Sequence, residues 1–205
     1  MSESRAFRMK RLVCVVEGKG EIQAIPNLCS RVLLALEVFD WIVDPEPVRQ
    51  GRGLLVDETQ PSPHRPPRSE SLSRAVQLAR VRPADAVLVL CDSDDDCPVA
   101  WGPPATQVIQ RFSPGGAVMV VREYEAWLLS SQLGDRYHQE RAIETIRDAK
   151  GPLKDFVPGY KPTVHQLELT RKIDIARLRG LSDSFDKFFR TVATIVGVAP
   201  PALQV

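Results

Sequence analysis

Three short apolar runs, each closed by acidic residues, constrain this fold most: Leu12–Val16 before Glu17, Ala86–Cys91 before Asp92-Ser93-Asp94-Asp95-Asp96, and Ala117–Val121 before Arg122-Glu123-Tyr124-Glu125. None alternates polar with apolar residues, so each reads as a strand buried on both faces, as in parallel sheets. Trp41-Ile42-Val43 suggests one more strand. Between the runs, Ile22, Ile25, Leu28, Cys29, Val32, Leu33, Leu36 and Phe39 recur at helical spacing and predict a helix over 21–39. A helix over 69–82 opens on Ser69 or Ser71 as N-cap, and a short helix is expected over 104–112. Strands alternating with helices define an α/β class: a Rossmann-like parallel sheet of about four strands flanked by helices, with right-handed connections.

Residues 45–68 carry Pro, Gly and Arg without a hydrophobic period, and read as a long excursion or partly disordered loop. The last third contains no strand-like run of comparable quality. Helices are expected over 164–179 and 185–196, the second with Phe185, Phe188, Phe189, Val192, Ile195 and Val196 in one apolar stripe. The chain therefore divides into an α/β core, 1–146, and a helical extension, 147–205, packed on it. Residues 147–190 hold 10 Lys and Arg against 6 Asp and Glu, a mild surplus that suits an anionic partner. No apolar stretch approaches the roughly 20 residues of a membrane span, and the first residues lack a signal-peptide core. The chain reads as cytoplasmic. Its cysteines, Cys14, Cys29, Cys91 and Cys97, include no C-x-x-C pair, which argues against zinc and disulfides.

The acids carry the chemistry. In an open parallel sheet, ligands bind beyond the carboxyl ends of the strands. Glu17, then Asp92, Asp94 and Asp96, then Glu123 and Glu125 would share that rim. Carboxylates gathered together repel unless a cation or protons neutralise them. A hard divalent ion, Mg²⁺ or Mn²⁺, suits an oxygen-only set. Other motifs fail on spacing. A calcium loop starting at Asp92 has Cys97 in place of its turn glycine and Pro103 in place of its glutamate. Gly18-Lys19-Gly20 is not a Walker A loop, no G-x-S-x-G elbow is present, and His64, His138 and His165 are scattered.

VVEGKGE followed by LVLCDSDDD resembles the Toprim fold of topoisomerases, primases and overcoming-lysogenization-defect nucleases. With REYEAWLL and the segment GYKPTVHQLELTRKIDIARLRGLSDSFDKFF, the chain is more closely similar to bacterial Toprim-like proteins encoded beside ABC- or AAA-type ATPases in phage-defence pairs. The resemblance spans about Leu12 to Phe189. It implies a general acid/base or second-metal role for Glu17 and Mg²⁺ ligation by Asp92 and Asp94. Asp96 departs from some Toprim patterns and is a candidate further ligand, while Glu123 and Glu125 match the closer family only.

Metal-held phosphodiester chemistry also needs positive partners for phosphates. Lys19, Lys150, Lys154, Lys161, Arg171 and Lys172 are the candidates, and Lys161, on the Gly-Tyr-Lys-Pro turn of the family-like segment, is the preferred catalytic lysine. The expectation is a metal-dependent nuclease acting on DNA or RNA, the effector of a two-component antiphage system with an ATPase partner. The alternative is a non-catalytic Toprim-like subunit bound to an ATPase scaffold. A small-molecule phosphohydrolase ranks lowest, because no nucleophilic aspartate has the usual lysine and threonine partners.

Overall fold

A computed structural model of the chain describes residues 8–132 and 141–203. The first half runs β1 (Lys10–Val16), α1 (Glu21–Ala35), β2 (Trp41–Val43), β3 (Val48–Arg49), α2 (Arg52–Leu55), α3 (Ser69–Val81) and β4 (Ala86–Asp92). It continues with α4 (Pro98–Gln110), β5 (Gly115–Val120) and α5 (Tyr124–Gln132). A 3-10 turn (Arg141–Thr145) then leads to α6 (Lys150–Phe156), α7 (Pro162–Arg171), α8 (Ile175–Leu181) and α9 (Asp183–Val196). The molecule is α/β, with one parallel sheet flanked by helices and helices throughout its C-terminal part.

The sheet order is β2-β1-β4-β5, every pairing parallel, and β3 also pairs with β1. β2 lies beside Lys10–Leu12 and β3 beside Val15–Val16, so these two short strands share one edge position. From β1 the chain first builds outward to β2 and β3, then crosses to β4 on the other side. The order thus reverses between β1 and β4, where ligands of such sheets bind.

Side chains of successive strand residues point to opposite faces, and both faces are covered. Leu12, Cys14, Val16, Leu88 and Leu90 join a core with α1, α5 and α9. Val13, Val15, Val87, Val89 and Cys91 join a second core with α3 and α4. This double burial explains why the strands read as unbroken apolar runs.

Four element boundaries differ from the periodicity. The first helix stops at Ala35 because Glu37 adopts a left-handed φ of 55° and turns the chain, letting Val38 N–H reach Leu33 O at 2.9 Å. Phe39 is then off the helix and 67% exposed. Within 45–68 the chain is ordered: Gln50 N–H donates to Val16 O, Leu55 is fully buried, and Val56 bridges Pro67. The helix expected over 104–112 begins at Pro98, which fits a first helical position, and runs through Pro103 and Pro104. The segment 164–179 is two helices, parted at Lys172–Asp174, where Asp174 accepts Arg177 N–H as the N-cap of the second. Arg31 reaches across to the carbonyls of Thr170 and Ile173 at the same break.

The helix α9 stands as the sequence indicates, capped by Ser182 and ended by Gly197 at φ 81°. No helix among the described residues is long and apolar enough to cross a membrane.

Candidate functional site

Three chain segments leave the sheet at the same rim. Glu17 follows β1, and Gly18-Lys19-Gly20 turns directly into α1, whose first residue is Glu21. Asp92 ends β4, and Glu125 stands in the first turn of α5 after β5. Because β1 and β4 are paired, Glu17 and Asp92 are adjacent: Asp92 N–H donates to Glu17 Oε2 at 3.2 Å. The Asp92 carboxylate in turn accepts Tyr124 N–H at 2.9 Å, tying the end of β4 to the start of α5.

Glu17, Glu21, Asp92 and Glu125 line one cleft of about 340 Å³ with Lys19, Lys150, Pro162, Thr163 and Gln166. Their protonation shows the strain of that gathering. Burial pushes Glu21 up to about 7, and the charges of Glu17 and Glu125 push in the same direction. Asp92 is raised well above the carboxylate range by burial and by Glu21, Glu17 and Glu125. Burial also raises Glu17 against the opposing charge of Arg52, and raises Glu125 against Lys150. Burial and like charges both favour the neutral acid. A cation of higher charge would reverse that preference.

The helical third supplies the opposite wall. Glu125 Oε1 accepts Tyr160 O–H at 3.0 Å and Gln166 Nε2 at 3.1 Å, while Lys150 Nζ lies 3.5 Å from its other oxygen. Lys150 also binds Glu123 through its ammonium and its backbone N–H. Burial alone would lower Lys150, but the Glu123 hydrogen bond and the Glu125 charge raise it, so it stays protonated. Behind Glu125, Tyr124 and Thr170 share a hydroxyl hydrogen bond of 2.7 Å that fastens α5 to α7.

A second charged knot lies on the far side of Glu17. Arg52, at the start of α2, donates to the carbonyls of Asp92 and Ser93 and to the Asp96 carboxylate. Its Nε lies 3.2 Å from Asp94 and 3.6 Å from Glu58, and its Nη1 lies 3.9 Å from Glu17. Asp96 is wholly buried there, with Arg65 also within 3.7 Å. Asp94, 63% exposed, holds a left-handed φ of 48° and lines a shallow hollow with Asp95, Arg122 and Arg147.

Of the acids singled out in the sequence, the cleft thus gathers Glu17, Asp92 and Glu125. Asp94 and Asp96 face Arg52, and Glu123 is taken by Lys150. Among the basic candidates, Lys19 is on the cleft lip and Lys150 inside it. Lys161 is exposed at the start of α7 beside Pro162, its backbone N–H donating to His165 Nδ1. Lys154, Arg171 and Lys172 are exposed outside the cleft lining, with Lys172 paired to Glu168.

Sequence reasoning passed over Glu21, Arg52, Tyr160 and Gln166. Glu21 had a signal, an acid four residues after Glu17 in EGKGE, but an acid in a first helical turn reads equally well as a partner of the helix dipole. Arg52 had none, since it lies in a stretch without periodicity.

The donors suit a hard divalent ion in kind: all are oxygens, and buried Gln166 Oε1 has no hydrogen-bond partner among the described residues. They do not form a finished cage. Among the described residues no three Asp, Glu, His or Cys side chains are grouped to hold a metal as they stand. Comparison with protein-family models, curated proteins and solved structures finds no significant match to this chain.

Proposed function

We propose that this protein is a divalent-metal-dependent nuclease that hydrolyses phosphodiester bonds of DNA or RNA. One observation carries the reading: four carboxylates from three strand ends line a single cleft at the switch point of the sheet, where burial raises all four and repulsion from the others adds to it at Glu21 and Asp92. A bound Mg²⁺ or Mn²⁺ would offset that repulsion and polarise a phosphate oxygen.

Asp92, Glu21 and Glu125 are the residues to hold the ion. Glu17, less enclosed and raised by burial, is suited to taking a proton from the attacking water and returning one to the leaving oxygen. Lys150 supplies a fixed positive charge beside the reacting phosphate, and Lys19 extends it to the cleft lip. Tyr160 and Gln166 orient the Glu125 carboxylate. Resemblance to Toprim proteins supports the same assignment for Glu17 and Asp92. The ATPase partner and the role in phage defence enter from that resemblance alone.

The test is cleavage of DNA, RNA and tRNA panels with and without Mn²⁺ or Mg²⁺. Asp92→Asn and Glu17→Gln are each expected to lower divalent-dependent cleavage by about a hundredfold or more while the chain stays folded. Full cleavage by a rigorously purified Asp92→Asn protein would reject the reading.

A second reading, a non-catalytic subunit held by an ATPase scaffold, is favoured by Arg52 and Lys150, which already balance part of the acid cluster. Metal-dependent turnover by the isolated wild-type chain excludes it.

A further inference from the structure

The knot around Arg52 reproduces the surroundings of a cation. Six oxygen-bearing groups converge on one guanidinium: the carboxylates of Glu17, Glu58, Asp94 and Asp96 and the carbonyls of Asp92 and Ser93. The arginine cannot leave easily. Gln50, two residues earlier, is hydrogen-bonded to the last residue of β1, and Leu55, three residues later, is buried with its carbonyl accepting Trp101 Nε1 at 3.1 Å. The Arg52 side chain is only 13% exposed.

Glu17 is the wall between this knot and the acid cleft. Its Oε2 accepts Asp92 N–H and is also the oxygen nearest to Arg52. Two-metal phosphodiesterases place their ions about 3.5–4 Å apart, bridged by shared oxygens. The position across Glu17 from the cleft, where a second ion would share it, is filled by a permanently charged side chain.

We propose, resting on the metal-dependent reading above, that Arg52 is a built-in replacement for a second metal ion: the protein takes one divalent cation, on the Glu21, Asp92 and Glu125 side of Glu17. Asp94 and Asp96 then hold the arginine instead of a metal. Arg52 serves as a positioning residue. It fixes Glu17 and the Asp92–Asp96 loop through its contacts with Glu17, Asp94 and Asp96 and with the carbonyls of Asp92 and Ser93.

Mn²⁺ binding to the purified full chain, by calorimetric titration with electron paramagnetic resonance as a count of bound ions, reads this without any activity. The wild type is expected to bind one ion. Asp94→Asn, altering an exposed carboxylate, should keep that ion with little change in affinity, whereas Asp92→Asn should weaken it by about tenfold or more. A folded Arg52→Gln protein is expected to take up a second ion among the freed carboxylates. Two ions on the wild type, a tenfold loss in Asp94→Asn, or a single ion on folded Arg52→Gln overturns the assignment. Should Arg52→Gln not fold, the wild-type and Asp94→Asn measurements decide alone. No Mn²⁺ on the wild type would instead remove the metal-dependent reading itself.

Discussion

Glu21 shows what a single buried acid does to this molecule. Its carboxyl, in a residue 6% exposed, accepts Glu17 N–H at 3.2 Å and faces two other acids. Below about pH 4.5 folded and unfolded chains both carry its proton, and it contributes no pH dependence. Between about 4.5 and about 7 the unfolded chain has lost that proton and the folded chain retains it, so raising the pH erodes stability until the folded group also ionises. The full erosion is on the order of 3 kcal/mol. Glu17, Asp92 and Glu125, raised likewise, add with the same sign. Urea titrations of the metal-free protein should thus show falling stability from about pH 5 to about pH 7, shallower in Glu21→Gln and recovered by Mn²⁺. Stability rising across that window contradicts the assignment. The acids after the strands were legible in the sequence because strand ends converge on one rim. Which of them keep free carboxylates was not, since that depends on Arg52 and Lys150, distant in the chain.

Close approach between elements is set by glycines, and its consequences can be measured. A Cβ on Gly20 would lie 2.0 Å from Gln166 Oε1 and 2.9 Å from Pro162 Cβ, in the contact between α1 and α7. A Cβ on Gly115 would lie 2.1 Å from the backbone oxygen of Val87, inside the β4–β5 ladder. Gly20→Ala and Gly115→Ala should each lower unfolding free energy by about 1–3 kcal/mol. Gly51→Ala, with nothing within 4 Å, serves as the control and should stay within about 0.5 kcal/mol of wild type in the same urea titration. Equal effects at all three positions would discredit the packing argument. Elements long enough to bury a continuous face, such as β4 or α9, showed in the sequence through their apolar pattern. The two-residue β3 and four-residue α2 have no period to display, and tertiary contacts at Val16 and Trp101 order them instead. The break between α7 and α8 was hidden for a related reason: apolar spacing continues across it, and only the cap at Asp174 and the reach of Arg31 mark the stop.

At the scale of the whole molecule, the helical third is part of the core and of the cleft. One hydrophobic cluster includes Leu12, Leu28, Leu88 and Trp127 together with Leu153, Leu178, Phe185, Phe188 and Val192. Trp127 sits at the centre, its ring 5.1 Å from Phe185 and 5.3 Å from Phe188, with its indole N–H bonded to Ser184. Lys150, Tyr160 and Gln166 reach the acid cleft from the same third, so the site closes only when these helices dock. Phe185, Phe188 and Phe189 are each no more than 1% exposed. Truncating one such ring costs about 3–5 kcal/mol, against a total stability of about 5–15 kcal/mol for a domain. Phe188→Ala should therefore lower the unfolding free energy by about 3–5 kcal/mol in urea. A chain ended after Ile146 loses all three rings at once, a loss comparable to that whole reserve, and should lack the far-UV dichroism and compact elution of the full protein. A cooperatively folded fragment 1–146 would show instead that the sheet and its first five helices suffice, leaving the last third as an ornament on a finished core.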